Sequence, residues 1–243
     1  MPVNEQSSKK KQQIWASLIL GLALIICSVV VSAGFIRIKG YGRTVSVTGA
    51  AYKEITSNYA VWEGNISVTA PTMAAASAEL KNSRSLTERF LEREEIPPDI
   101  IEFQPVNICK IYDRERVLTG YSLNQTVKVE MADVGRITRL ARSASVLIEQ
   151  GVEFNSRPPQ YLFTGLDSLK LEMIQVATEN AKLRAERLAH TTDRSVGAPT
   201  SARVGIFQIR PRHSQDVSGM GISDVSSVEK EIVSTAHISF ILE

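Results

Sequence analysis

Residues 121–131 read Tyr121-Ser122-Leu123-Asn124-Gln125-Thr126-Val127-Lys128-Val129-Glu130-Met131. Tyr121, Leu123, Val127, Val129 and Met131 point one way, while Ser122, Asn124, Thr126, Lys128 and Glu130 point the other. This period of two predicts a strand with one dry and one wet face. Upstream, Trp62, Ile66 and Val68 alternate with Glu63, Asn65, Ser67 and Thr69, a second strand within residues 59–70. Between the two, Pro71 and Thr72 open a helix to about Glu95, with Ala76, Leu80, Leu86, Phe90 and Leu91 along one side and Pro97-Pro98 as the stop. Residues 100–112 form a further apolar stretch, closed by the charged turn Asp113-Arg114-Glu115-Arg116. Downstream, Asp133 is a good N-cap for a helix whose apolar residues recur from Val134 to Ile148 and which stops at Gly151. A strand over residues 152–163 follows, broken at Pro158-Pro159, which confines that part to an edge or a bend.

The order strand, helix, strand, strand, helix, strand predicts an α+β fold with a ferredoxin-like βαββαβ module over about residues 58–163. Residues 164–242 supply a long helix and closing strands. Asp167 is expected to cap that helix, which runs to about Thr191, and Ala177, Ala181, Ala185 and Ala189 recur every fourth residue, so another element can approach closely. Strands over 204–209 and 231–242 flank a polar stretch, 211–230, that reads as a long mobile loop. A short strand, residues 44–48, ends at Gly49 and is expected to pair with the closing strands.

The N-terminal end is different in kind. Residues 14–36 contain no charged side chain. As a helix they would span about 35 Å, against about 30 Å for a hydrocarbon core, so a transmembrane helix is expected there, after a tail of residues 1–13. A cleaved signal peptide competes, because Val31-Ser32-Ala33 precedes Gly34 as small residues precede a cleavage site. The apolar run before it is longer than an ordinary signal core, which favours a retained anchor. Lys9, Lys10 and Lys11 face Arg37, Lys39 and Arg43 across the run, so charge does not decide the orientation.

The chain of 243 residues carries 28 Lys and Arg against 26 Asp and Glu. The whole excess lies in Lys9 to Lys11 set against Glu5, leaving residues 37–243 balanced. A neutral body argues against nucleic acid, whose phosphates are held by clustered cations. Cys27 lies in the apolar run and Cys109 is alone in the body, so no disulfide can form within the folded part, and Cys109 is expected to be a small packed hydrophobe.

His190, His213 and His237 are scattered, without metal-ligand spacing, and there is no nucleophile elbow or P-loop. Gly219-Met220-Gly221 lacks the strand and helix of a phosphate cradle. Glu94-Glu95 beside Arg93 reads as a solvated helix end, and Arg210 and Arg212 as a solvated strand end. Tyr121 superficially matches an RNA-stacking strand, but it shares its face with Leu123 and Val127 and reads as a core residue. No catalytic, metal or cofactor residue is assigned.

Two stretches together carry a resemblance. Arg43-Thr44-Val45-Ser46-Val47-Thr48-Gly49, and Tyr161 to Lys170 running into Met173, Ala177, Asn180-Ala181, Ala185-Glu186 and Leu188-Ala189 with Gly197 beyond, resemble the SIMPL-domain family over about residues 43–242. Ala50-Ala51 departs from the usual continuation after the opening glycine. The resemblance implies a bacterial envelope protein with its domain periplasmic or otherwise outside the cytoplasm, in a subgroup with an uncleaved anchor. It also implies kinship with proteins associated with oxidative-stress defence or known as surface immunogens, some forming ring- or channel-like oligomers. It brings no accepted catalytic residues.

The expectation is therefore a non-enzymatic, single-pass protein of the inner membrane, N-terminus cytoplasmic. It would contact lipid through residues 14–36, self-associate, and engage an envelope protein partner. The alternative is a hydrolase or small-ligand-binding enzyme with a site assembled from distant residues.

Overall fold

The computed structural model describes residues 21–32 and 44–243. It is a mixed α+β structure. Helix α1 covers residues 21–32, with every side chain after Gly21 exposed although the segment is apolar. The remainder of the expected span, 14–20 and 33–36, and the tail 1–13 lie outside the described residues. No helix of the described residues is long and apolar enough to cross a membrane.

Strand β1 (Thr44–Thr56) is followed by β2 (Tyr59–Ala70), α2 (Met73–Arg93), β3 (Ile101–Phe103), β4 (Asn107–Tyr112), β5 (Leu118–Met131), α3 (Val134–Ser143), α4 (Ser145–Glu149), β6 (Phe154–Ser156), β7 (Gln160–Leu162) and α5 (Leu166–His190). The chain ends with β8 (Val196–Val204), β9 (Gln208–Pro211), β10 (Ile222–Ser223) and β11 (Glu229–Leu242). The described residues divide into two compact units, one of residues 21–32 and 44–49 with Glu179–Arg203 and Ala236–Glu243, the other of Ala50–Thr178 and Val204–Thr235.

In the second unit β2 to β7 make an antiparallel six-stranded sheet in the order β3-β5-β2-β6, with β4 also on β5 and β7 also on β2. The long pair β2–β5 is the spine, with Trp62 opposite Val129, Gly64 opposite Val127 and Ile66 opposite Gln125. The register puts the apolar parity of both strands on the side of α2, α3 and α4. Trp62, Ile66, Phe90, Leu91, Val127, Val129, Ile137, Leu140 and Leu147 are all buried in one core. Each large side chain so buried contributes about 1.5–3 kcal/mol.

Gly64 lets the Phe154 ring lie across the strand, since a Cβ there would stand 2.0 Å from Phe154 Cζ. Phe154 in turn packs on Trp62, ring centroids 5.9 Å apart, and Trp62 Nε1 donates to Ser156 Oγ at 2.9 Å.

The helix boundaries follow local chemistry. Thr72 Oγ1 accepts from the Ala75 amide at 3.3 Å, and Asp133 Oδ1 from the Arg136 amide at 2.9 Å. After α2 the chain turns through Glu95 at φ 57°, with Ile96 N on Leu91 O at 2.9 Å and Glu95 N on Glu92 O at 2.9 Å, the paired bonds of a Schellman ending. Gly151, at φ 84°, ends α4 in the same manner.

The five-stranded sheet runs β1-β11-β9-β10, with β8 also on β11. Several expectations change here. The strand expected to stop at Gly49 continues to Thr56, because Ala51 and Ile55 keep the buried parity beyond the glycine. The strand expected over 204–209 is two strands, β8 before it and β9 across its end. Among the described residues β8 pairs only with β11, an edge position that tolerates Pro199.

Asp167 is not the cap of α5; it sits in the first turn, and the Gly165 carbonyl accepts the first helical bond from Leu169 N at 3.3 Å. The single helix expected up to Gly151 is broken at Ala144 into α3 and α4. The apolar stretch 100–112 is divided at Gln104–Val106 into β3 and β4.

Candidate functional site

The wet face of the six-stranded sheet carries a connected polar array. Ser67 Oγ donates to Asn124 Oδ1 at 2.6 Å, Asn65 Nδ2 to Asn124 Oδ1 at 3.4 Å, and Asn124 Nδ2 to Ser122 Oγ at 3.4 Å. The charged end of this face holds Lys128 and Glu130, 2.8 Å apart, and Glu63, which pairs with Arg157 at 2.8 Å. The bond to Glu130 raises the Lys128 pKa, against a smaller opposing effect of burial, and the charges of Glu130, Glu102 and Glu63 add to it. These groups can hold a polar partner by hydrogen bonds and ion pairs.

A second constellation is buried. Lys230, only 2% exposed, points inward from β11 and donates from Nζ to Tyr161 O on β7 at 2.8 Å and to Asp224 O. The Asp224 carboxylate lies 3.8 Å away through Oδ2, which has no hydrogen-bond partner. Asp224 Oδ1 accepts from Ser226 N at 2.8 Å and Ser226 Oγ at 2.7 Å. Burial pushes the Lys230 pKa below its ordinary value, partly offset by Asp224. Burial pushes Asp224 upward, but the Ser226 bonds, the neighbouring Ser227 hydroxyl and the Lys230 charge outweigh it, so its pKa falls below the usual carboxylate value. No motif in the sequence marks this pair. Its signal is parity: Lys230 shares its phase with Ile232, Ser234, Ala236, Ile238 and Phe240, all buried.

The free edge is the third feature. Among the described residues β4 pairs with β5 alone, and Ile108, Cys109 and Tyr112 are exposed, as are Val117 and Leu118 across the hairpin. Cys109 is therefore not a packed hydrophobe. It faces the same side as Ser122, its partner on β5, on the polar face of the sheet.

The other flagged residues fall apart from one another in role. Arg210 is not solvated: its Nε and Nη2 reach Glu231 Oε2 at 3.0 and 2.8 Å, with the side chain 11% exposed. Arg212 forks onto Glu54 at 2.9 Å through both nitrogens. Glu95 meets Arg136 at a cleft of about 360 Å³ that Arg93, Glu94, Asp133 and Arg139 also line, a mixed-sign surface. His237 Nδ1 lies 2.8 Å from Thr48 Oγ1, His213 occupies a turn at φ 66°, and His190 ends α5. Among the described residues no group of three or more His, Cys, Asp and Glu forms a metal site. Tyr121 is half-buried against the core.

A two-sheet α+β body with a polar open face, a buried Lys–Asp pair and an exposed strand edge is thus the class of protein defined here. The chain belongs to the SIMPL family, a protein family of unknown function (DUF541), whose model it matches over residues 45–240. No curated protein matches it.

Proposed function

We propose that this SIMPL protein is a non-enzymatic interaction module of the bacterial envelope, held to the membrane by residues 14–36 with its body outside the cytoplasm, and that it self-associates. The observation that carries the reading is the uncharged run 14–36 immediately before the family-matching body at 45–240. The part seen as α1 supports it, since an apolar helix exposed all round suits a lipid surrounding. The β2–α2–β3/β4–β5–α3/α4–β6/β7 succession is read as a ferredoxin-like module. Its free β4 edge, with Ile108 and Tyr112 exposed, is the feature that favours association, because an open strand edge offers unpaired N–H and C=O groups.

Two measurements test this. In a chain lacking Cys27 and Cys109, Met220→Cys should react with a membrane-impermeant maleimide in intact cells and sediment with membranes after alkaline washing. Protection from the reagent, or release by the wash, overturns the placement. Light scattering of the full chain in detergent should give a mass above one protomer, lowered by Ile108→Glu with Tyr112→Glu; a monomer at high concentration removes the assembly reading.

A further inference from the structure

The segment between β9 and β11, expected as a loose loop, is fastened along its length. Arg210 Nη1 donates to Asp216 O at 3.1 Å, Gln208 Nε2 to Ser218 O at 2.8 Å, Asp224 N to Ile209 O at 2.8 Å, Tyr161 N to Val225 O at 2.7 Å and Ser57 N to Val228 O at 2.9 Å. Its two-residue strand β10 lies parallel on β9, Ile222 against Gln208 and Ser223 against Ile209. Residues 222–228 therefore occupy the outer edge of β9 and reach the free edge of β7.

Hydrophobic burial does not hold the tip of this segment, since Val217 is 76% and Met220 94% exposed. The fastening is polar, and it converges on one group. Lys230 Nζ bonds the Asp224 carbonyl on the segment and the Tyr161 carbonyl on β7 at once, with the Asp224 carboxylate 3.8 Å away. Lifting the segment off would leave the buried Lys230 ammonium with the Tyr161 carbonyl alone, stripped of the Asp224 carbonyl and of the nearby Asp224 carboxylate, which is unfavourable.

We propose that residues 212–228 form a strap latched by the Lys230 ammonium, and that the closed strap guards the outer edges of β7 and β9 against pairing with another strand. The guard follows from geometry: the N–H of Tyr161 and the C=O of Ile209 are the groups an incoming strand would use, and Val225 and Asp224 of the strap already take them. Native sheets commonly cover such edges with a loop. The latch stands whether or not the chain self-associates through β4.

The test uses the full chain in detergent, comparing the wild type with Lys230→Met combined with Asp224→Asn. The pair of changes removes the latch without stranding a buried charge, so the body stays folded, as near-ultraviolet dichroism will report in a Trp15→Phe background that leaves Trp62 as the single tryptophan. Hydrogen exchange at the Ser57, Tyr161 and Asp224 amides should accelerate together by about tenfold or more, while Trp62 and Val129 amides keep their protection. A fluorescent peptide of residues 219–228 should then bind the double variant and not the wild type. Unchanged exchange at those three amides in a folded variant overturns the latch. Accelerated exchange without peptide binding overturns the guard.

Discussion

At the residue scale, position 64 shows how a single side chain's absence shapes the core. Gly64 is flanked by Trp62 and Ile66 on a strand whose alternation would accept Val, yet the Phe154 ring lies where a Cβ would stand. Gly64→Ala should lower stability by about 1–3 kcal/mol through overpacking, measured by chemical denaturation, and Phe154→Leu in the same chain should return part of it. Neither the glycine nor Phe154 announces this contact in sequence, because the two strands meet only through β2–β6 pairing.

Lys230 is the second case. Lys230→Met alone orphans Asp224 in a buried site and should cost about 3–5 kcal/mol, whereas the double change with Asp224→Asn should cost clearly less; a double-mutant cycle in urea reads the difference. Lys230 was expected at the end of the loop 211–230; only the extension of β11 back to Glu229 gives it an inward phase and brings residues 161 and 224 to it.

At the element scale, the caps and stops were the most legible features. Thr72, Asp133 and Gly151 do what their types favour, because capping depends on chemistry within four residues. Elements that depend on distant pairing were less legible. β1 outruns Gly49 and β8 carries Pro199, in each case because the pairing available in the sheet outweighs local propensity.

The alanine row of α5 was legible as a close-approach face, and Ala177, Ala181, Ala185 and Ala189 are fully buried. Ala185→Leu should therefore destabilise by about 1–3 kcal/mol or more, while Leu183→Ala on the exposed side of the same helix should change the thermal midpoint little; comparable losses for the two would show that the row is not packed. β4 went the other way. Its apolar stretch led to the expectation of a packed Cys109, but β4 lies at a sheet edge and nearly all its residues are exposed.

At the scale of the whole molecule, the charge balance of the body leaves a few fixed pairs to set the response to pH. Asp224 has a folded pKa below its ordinary 3.8, so the unfolded chain binds more protons in between. Its stabilising contribution is complete above about pH 3.8 and is lost as pH falls through the folded value. Lys128 is raised above 10.5, so its contribution is present below that value and lost as pH rises through the higher folded one. The double variant at 224 and 230 should accordingly show a shallower acid limb in a plot of thermal midpoint against pH below about 4. An acid limb as steep as the wild type's would mean that other carboxylates carry it.

The sequence by itself determined the α+β class, the order of the main strands and helices, the caps of α2 and α3, and the family, because periodicity, capping and motif spacing are properties of neighbours along the chain. Only the tertiary structure decided that Cys109 is exposed, that Arg210 is half-buried against Glu231, and that the segment before β11 is hydrogen-bonded along β9 and β7. Each of those outcomes depends on which distant segment lies opposite, and on whether a buried charge finds a partner there.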